Sequence, residues 1–209
     1  MQNYVITIAR GYGSGGKTIG KMLSRELDIE YYDKELLRRA SDESGISEKL
    51  FAEADEKLKS KGPKLLKGRR SAYTGELLPP GSEDFTSHQN LFNYQAKVIQ
   101  DIANTESCVI VGRCADFVLR DRPNVLRLYV HASFDYCLAK TMELHPEFDE
   151  EEAKRFIRRT DKGRADYYRY FTGHDWDCAD NYDLCINSEA LGWDKCVALV
   201  KAYLDIKMK

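Results

Sequence analysis

The chain has 209 residues, enough to bury one core without disulfide or metal staples, and suits a single domain over 1–209. Its 32 Lys and Arg nearly cancel its 34 Asp and Glu, so no overall field points to nucleic acid, and no apolar run has the length to cross a bilayer. Six cysteines without a C-x-x-C pair, several inside apolar runs, argue against metal or disulfide roles and for a reducing, cytoplasmic setting.

The first expected strand, Tyr4 to Ala9, is apolar and β-branched, and begins so early that no signal peptide is expected. Gly11-Tyr12-Gly13-Ser14-Gly15-Gly16-Lys17-Thr18 follows and fits the phosphate-binding pattern G-x-x-x-x-G-K-[ST]. A helix comes next, with Ile19, Met22, Leu23 and Leu27 at helical spacing. Strand, glycine loop and helix together predict an anion cradle of backbone amides at a helix N-terminus. Lys17 would reach the outer phosphates of a nucleotide, and the Thr18 hydroxyl would hold Mg²⁺.

A short second strand is expected over 28–33, then a helix from Lys34 that Gly45 ends, then another from Ser47 with Leu50, Phe51, Ala54 and Leu58 on its apolar side. Between Lys57 and Arg70, seven of fourteen residues are basic. This run and the Gly/Pro/Ser-rich stretch up to His88 read as a mobile surface excursion, its charges more simply solvated than devoted to phosphate capture. A helix over 90–103, a buried strand at Ser107–Val111, a strand at 125–130, helices over 135–144 and 150–170, a strand at 182–187 and a closing helix from Trp193 complete the pattern. Five apolar strands separated by helices predict an α/β fold with a parallel sheet, whose ligands bind beyond the strand carboxyl ends. That rule gathers the glycine loop, Asp33, Gly112-Arg113 and the segment after Val130 along one edge.

Arg113 directly follows the third strand, where a guanidinium can grip a phosphate with two parallel hydrogen bonds. Asp116 could orient it or reach a sugar hydroxyl. Arg158, Arg159, Asp161, Lys162 and Arg164 form a second cluster, with Asp161 and Arg164 on one helical face. The cluster is either a salt-bridged surface helix or a lid that closes its arginines over transferring phosphates. Tyr167, Tyr170 and Phe171 read as core packing, and the four histidines show no metal spacing.

These segments together resemble the cytidylate kinase-like family of P-loop proteins over essentially the whole chain. The resemblance is carried by the glycine loop, Tyr32-Asp33-Lys34-Glu35, Val109 to Asp116, Thr160-Asp161-Lys162-x-Arg164-Ala165-x-Tyr167-Tyr168, Phe171-Thr172-Gly173-x-Asp175-Trp176 and Asn181 to Asn187. It implies a three-layer nucleoside-monophosphate-kinase fold with five parallel strands in the order 2-3-1-4-5. It also implies an acceptor arm over about 34–105 (with the basic loop 57–88), a lid over about 149–180, ATP and Mg²⁺ as the donor pair, and CMP or dCMP as the acceptor. By the same resemblance Lys17 and Thr18 serve the donor phosphates and metal, and Arg39, six residues after Asp33, joins Arg113 on the acceptor phosphate. Asp161 and Arg164 match the lid's Asp-x-x-Arg, acting on the acceptor and on the transferring group, beside Arg158. Two positions depart from cytidylate kinases proper: Cys114 replaces the Asp after Gly-Arg, and Lys34-Glu35 replaces Ser-Gly. Both bear on the acceptor rather than on phosphoryl transfer.

Overall fold

The computed structural model of the chain describes residues 3–61 and 73–208. Residues 62–70 of the basic run, and the Leu58 side chain, lie outside the described residues.

Five strands, β1 (Val5–Arg10), β2 (Glu30–Tyr32), β3 (Cys108–Val111), β4 (Val125–His131) and β5 (Leu184–Asn187), form one parallel sheet in the order β2-β3-β1-β4-β5. β1 is central: Val5 pairs with Cys108 on one side and Val125 on the other. Strand side chains alternate between faces, which divides the core in two. Ile6, Ile8, Val109, Val111, Leu126 and Leu128 meet α1 (Gly16–Leu27) and α9 (Trp193–Lys207) through Ile19, Leu23, Val197 and Val200. On the other face Val5, Cys108 and Ile110 pack with α2 (Glu35–Ser44), α3 (Glu48–Lys61), α4 (His88–Thr105), the short α5 (Ala115–Val118) and α7 (Glu150–Thr172). Phe92 of α4 and Phe171 of α7 stack there, ring centroids 3.9 Å apart. Helix α6 (Phe134–Leu144), a 3₁₀ turn at Ala179–Asn181 and α8 (Ser188–Leu191) complete the chain.

Local signals fix most ends. Gly45 closes α2 at φ 70°, its N–H bonded to the Ser41 carbonyl. Asp149 and Glu152 form a reciprocal capping box at the start of α7, in keeping with the acidic run there. α4 begins two residues before the expected position, because the Ser87 hydroxyl caps the Asn90 N–H at 3.2 Å ahead of the first apolar residue of the stripe.

Residues 73–87 form the expected surface excursion. That segment has no regular structure, yet it is clasped to α4 by buried amides. Asn90 accepts from the Leu78 N–H at 2.9 Å and donates to the Phe85 carbonyl at 2.7 Å, while Asn93 donates to the Glu76 carbonyl at 2.6 Å. Tyr73 and Phe85 set their rings edge-on to Phe92 and Tyr94. Each buried amide thus satisfies backbone groups that no sheet or helix pairs.

Candidate active site

The loop between β1 and α1 turns through Gly13 and Gly15, both left-handed at φ 79° and 80°, and Gly15 is the N-cap of α1. The first-turn amides of Gly16, Lys17 and Thr18 have no partner within the helix, so they form the positive end expected of an anion cradle. The loop is braced from below. Ser14 donates to the Gly11 carbonyl at 2.9 Å, and the buried Ser188 hydroxyl donates to the Ser14 carbonyl at 2.6 Å. Tyr12 is braced from the side, its hydroxyl 2.9 Å from His145 Nε2 and its ring edge-on to Phe156.

Helix α7 reaches the same loop. Asp161 accepts the Tyr12 N–H on both oxygens, at 3.0 and 3.1 Å, and takes Arg164 Nη1 at 2.8 Å. Arg164 Nη1 also donates to the Arg10 carbonyl at 3.0 Å. Burial pushes the Asp161 carboxyl up, against the pull of Arg164 and the Tyr12 amide. The expected i,i+3 partnership is therefore present, but Asp161 is occupied as a strut to the glycine loop.

β3 ends in a rare turn. Gly112, Arg113 and Cys114 are all left-handed, at φ 76°, 61° and 53°, and the last two are non-glycine residues there. Such a conformation costs about 1 kcal/mol or more per non-glycine residue. The turn brings Arg113 to a cavity of about 740 Å³, which Arg10, Lys17, Asp33, Arg113 and Arg164 line together. Lys34, Arg159 and Lys162 add further positive charge. Lys17 Nζ lies 2.5 Å from the Asp33 carboxylate. Cys114, Asp116, Tyr167, Tyr168 and Trp176 line the cavity as well. Burial pushes the Cys114 thiol well up, so it is a neutral group. Asp116 is buried, accepts the Tyr168 hydroxyl at 2.6 Å, and is raised to about 6 by burial, which outweighs that hydrogen bond.

Not every expected residue arrives. Arg39 does not line the cavity; it stacks on Tyr32 at 4.7 Å, donates to the Tyr32 hydroxyl at 2.8 Å and lies 3.8 Å from Glu106. Arg158 turns away over the Phe134 ring, 5.2 Å from its centroid, while its neighbour Arg159 lines the cavity. Thr18 stands in the first turn of α1, outside the cavity lining. Among residues not singled out from the sequence, Arg10 matters most. It is the last residue of β1, so the same strand-end rule that selects Arg113 applies to it.

Residues 5–190 match the cytidylate kinase-like family. The chain belongs to the cytidylate kinase-like family. No functionally curated protein matches it. Among solved structures it is similar to an uncharacterized protein from Eubacterium ventriosum, with 26% identity and a TM-score of 0.69 over 97% of this chain and 99% of that one. It also shares its fold with shikimate kinase from Bacteroides thetaiotaomicron, with 14% identity and a TM-score of 0.53 over 97% and 98% of the two chains. Family and fold together make this cytidylate kinase-like protein a P-loop kinase. Among the described residues no helix is long and apolar enough to cross a membrane.

Proposed function

We propose that the protein transfers the γ-phosphoryl group of ATP to a nucleoside monophosphate, with CMP and dCMP the foremost acceptors. The observation that carries the proposal is that Lys17, from the donor loop, and Arg113 and Arg164, from distant segments, line a single cavity. Phosphoryl transfer needs little covalent help from a protein; it needs alignment and positive charge where negative charge spreads.

In this reading the glycine-loop amides and Lys17 hold the donor phosphates. Lys17 is about half exposed, at 49%, so its pair with Asp33 is worth at most about 1 kcal/mol and yields readily to a triphosphate. Among the described residues no group of three or more His, Cys, Asp or Glu could hold a metal by itself. Thr18, in the first turn of α1, would hold the Mg²⁺ with its hydroxyl, and the ion would supply positive charge to the donor phosphates. Arg113 grips the acceptor phosphate and Arg164 the transferring group. Residues of about 149–180, including α7, act as the lid, and 34–105 as the acceptor arm. A cytosine amino group would be read by Asp116, since the neutral Cys114 thiol is a poor acceptor.

A coupled ADP assay with a panel of nucleoside monophosphates tests the proposal. CMP or dCMP should stimulate ADP release, and Lys17→Ala should abolish it; no stimulation by any nucleoside monophosphate would overturn the acceptor. A second reading, a small acceptor phosphorylated on a hydroxyl, draws on Asp33, a carboxylate beside Lys17 that could take the hydroxyl proton. Small hydroxyl compounds in the same assay separate the two. Binding of ATP with no stimulated turnover would instead indicate a nucleotide-responsive binding protein.

A further inference from the structure

We infer that Arg10 is a direct ligand of an anionic oxygen group on the acceptor, sharing that group with Arg113. The inference rests on the transfer reaction proposed above and narrows it: an acceptor with no phosphate or comparable anion would not fill this site.

The side chain is threaded between two glycines. A Cβ at Gly16 would lie 2.5 Å from the Arg10 Cβ, and one at Gly112 would lie 2.5 Å from its Nη1. The stem therefore runs beneath the donor loop, while the guanidinium lies over the turn that presents Arg113. This is why the head group is assigned to the acceptor and not to ATP. Either glycine replaced by a larger residue would displace the arginine.

The electrostatics of the slot are unfavourable without an anion. Arg10 Nε is buried and has no hydrogen-bond partner among the described residues. The carboxylates that act on Arg10, Asp33 and Asp161, already pair with Lys17 and Arg164. Burial, with the like charges of Arg164 and Arg113, lowers Arg10 to about 10, still charged at neutral pH. A part-buried guanidinium that feels two others, with a buried unpaired Nε–H, is a costly arrangement that an oxyanion in the cavity offsets through charge-assisted hydrogen bonds. The planar fork also explains why arginine, rather than lysine, suits the position.

The test separates this inference from the reaction itself. With the donor site saturated by Mg²⁺ and a non-hydrolysable ATP analogue, inorganic phosphate is titrated calorimetrically into wild type, Arg10→Lys and Arg10→Gln. Phosphate affinity should fall at least tenfold in Arg10→Gln and severalfold in Arg10→Lys, with affinity for the analogue unchanged within about twofold. In wild type carrying ¹⁵N-arginine, the Nε–H resonance absent from Arg10→Lys should shift as phosphate is added. That readout remains decisive if Arg10→Gln does not fold. Undiminished phosphate binding in the variants, loss of analogue affinity instead, or an Nε–H resonance unmoved by phosphate would each overturn the inference. Arg10-dependent phosphate binding in a protein that no nucleoside monophosphate stimulates would leave the inference standing and the proposed acceptor refuted.

Discussion

Removing the Asp161 carboxylate should loosen the joint between α7 and the glycine loop, and the cost can be worked from its partners. In Asp161→Ala the Tyr12 N–H loses an acceptor held at 3.0 and 3.1 Å, a loss of about 1–3 kcal/mol for a part-buried donor. Arg164 loses a charge-assisted bond of 2.8 Å, worth about 1.5–3 kcal/mol, and is left facing Arg10 without its counter-charge. The Asp161 side chain is 28% exposed, and solvent screens part of the ion pair. A net loss of about 3 kcal/mol follows, or about 6–12 °C in Tm for a chain of this size. Asp161→Asn keeps a neutral acceptor for the Tyr12 N–H and should lose only about 1–2 kcal/mol. Thermal and denaturant unfolding of both variants, with Arg164→Ala and the Asp161/Arg164 double variant, gives the coupling directly, expected near 1–2 kcal/mol. An Asp161→Ala protein melting within about 1 °C of wild type, or a coupling of zero, would refute the strut.

Three further outcomes follow from other contacts. Asp116 binds its proton more tightly folded than unfolded, at about 6 against an ordinary 3.8, so the penalty for ionising it is absent below pH 4 and complete above pH 6. The difference amounts to about 3 kcal/mol; Asp116→Asn should match wild type near pH 4 and gain stability over it by pH 7.5, and a gap that does not widen with pH would count against the buried carboxyl. Gly112→Ala places a methyl group in a left-handed residue and 2.5 Å from the Arg10 head group, so stability should fall by about 1–2 kcal/mol and phosphate affinity with it; unchanged affinity would mean the slot is not needed. Phe92→Ala should cost about 3–5 kcal/mol in denaturant unfolding, because the ring is buried and stacked on Phe171. A loss under about 1 kcal/mol would show that this face of the core does not depend on the pair.

Much of the architecture was legible because its signals are local. The buried strands announce themselves as unbroken β-branched runs, and the glycine loop sits where strand and helix patterns meet. The Asp161–Arg164 pair follows from helical spacing alone. What failed was long-range. Arg158 and Lys162 share a face at i,i+4, yet Arg158 lies over the Phe134 ring while Lys162 lines the cavity with Arg159, an outcome set by tertiary packing that spacing does not show. Arg39 has the spacing of an acceptor ligand, yet spacing does not fix the direction of a long side chain, and Tyr32 and Glu106 draw it aside. Residues 73–87 lack any period, and nothing in their own sequence says that two asparagines on a distant helix face hold them. Helices α5 and α8 span four residues each, too few to show a repeat.

The turn after β3 concentrates costs that stability alone would remove. Two non-glycine residues take left-handed backbone, the nearby Arg10 keeps a buried donor unpaired, and it feels Arg113 and Arg164 as like charges. Glycine at 113 would relieve the backbone, and an apolar residue at 10 would relieve the charge. Strain of this kind persists where surrounding structure over-determines it and where groups must be presented to a ligand. The costs at Arg10, Arg113 and Cys114 fall together at the carboxyl edge of the sheet, around one cavity. A chain that keeps them there concentrates positive charge in the cavity, which suits it to an anionic ligand of matching geometry.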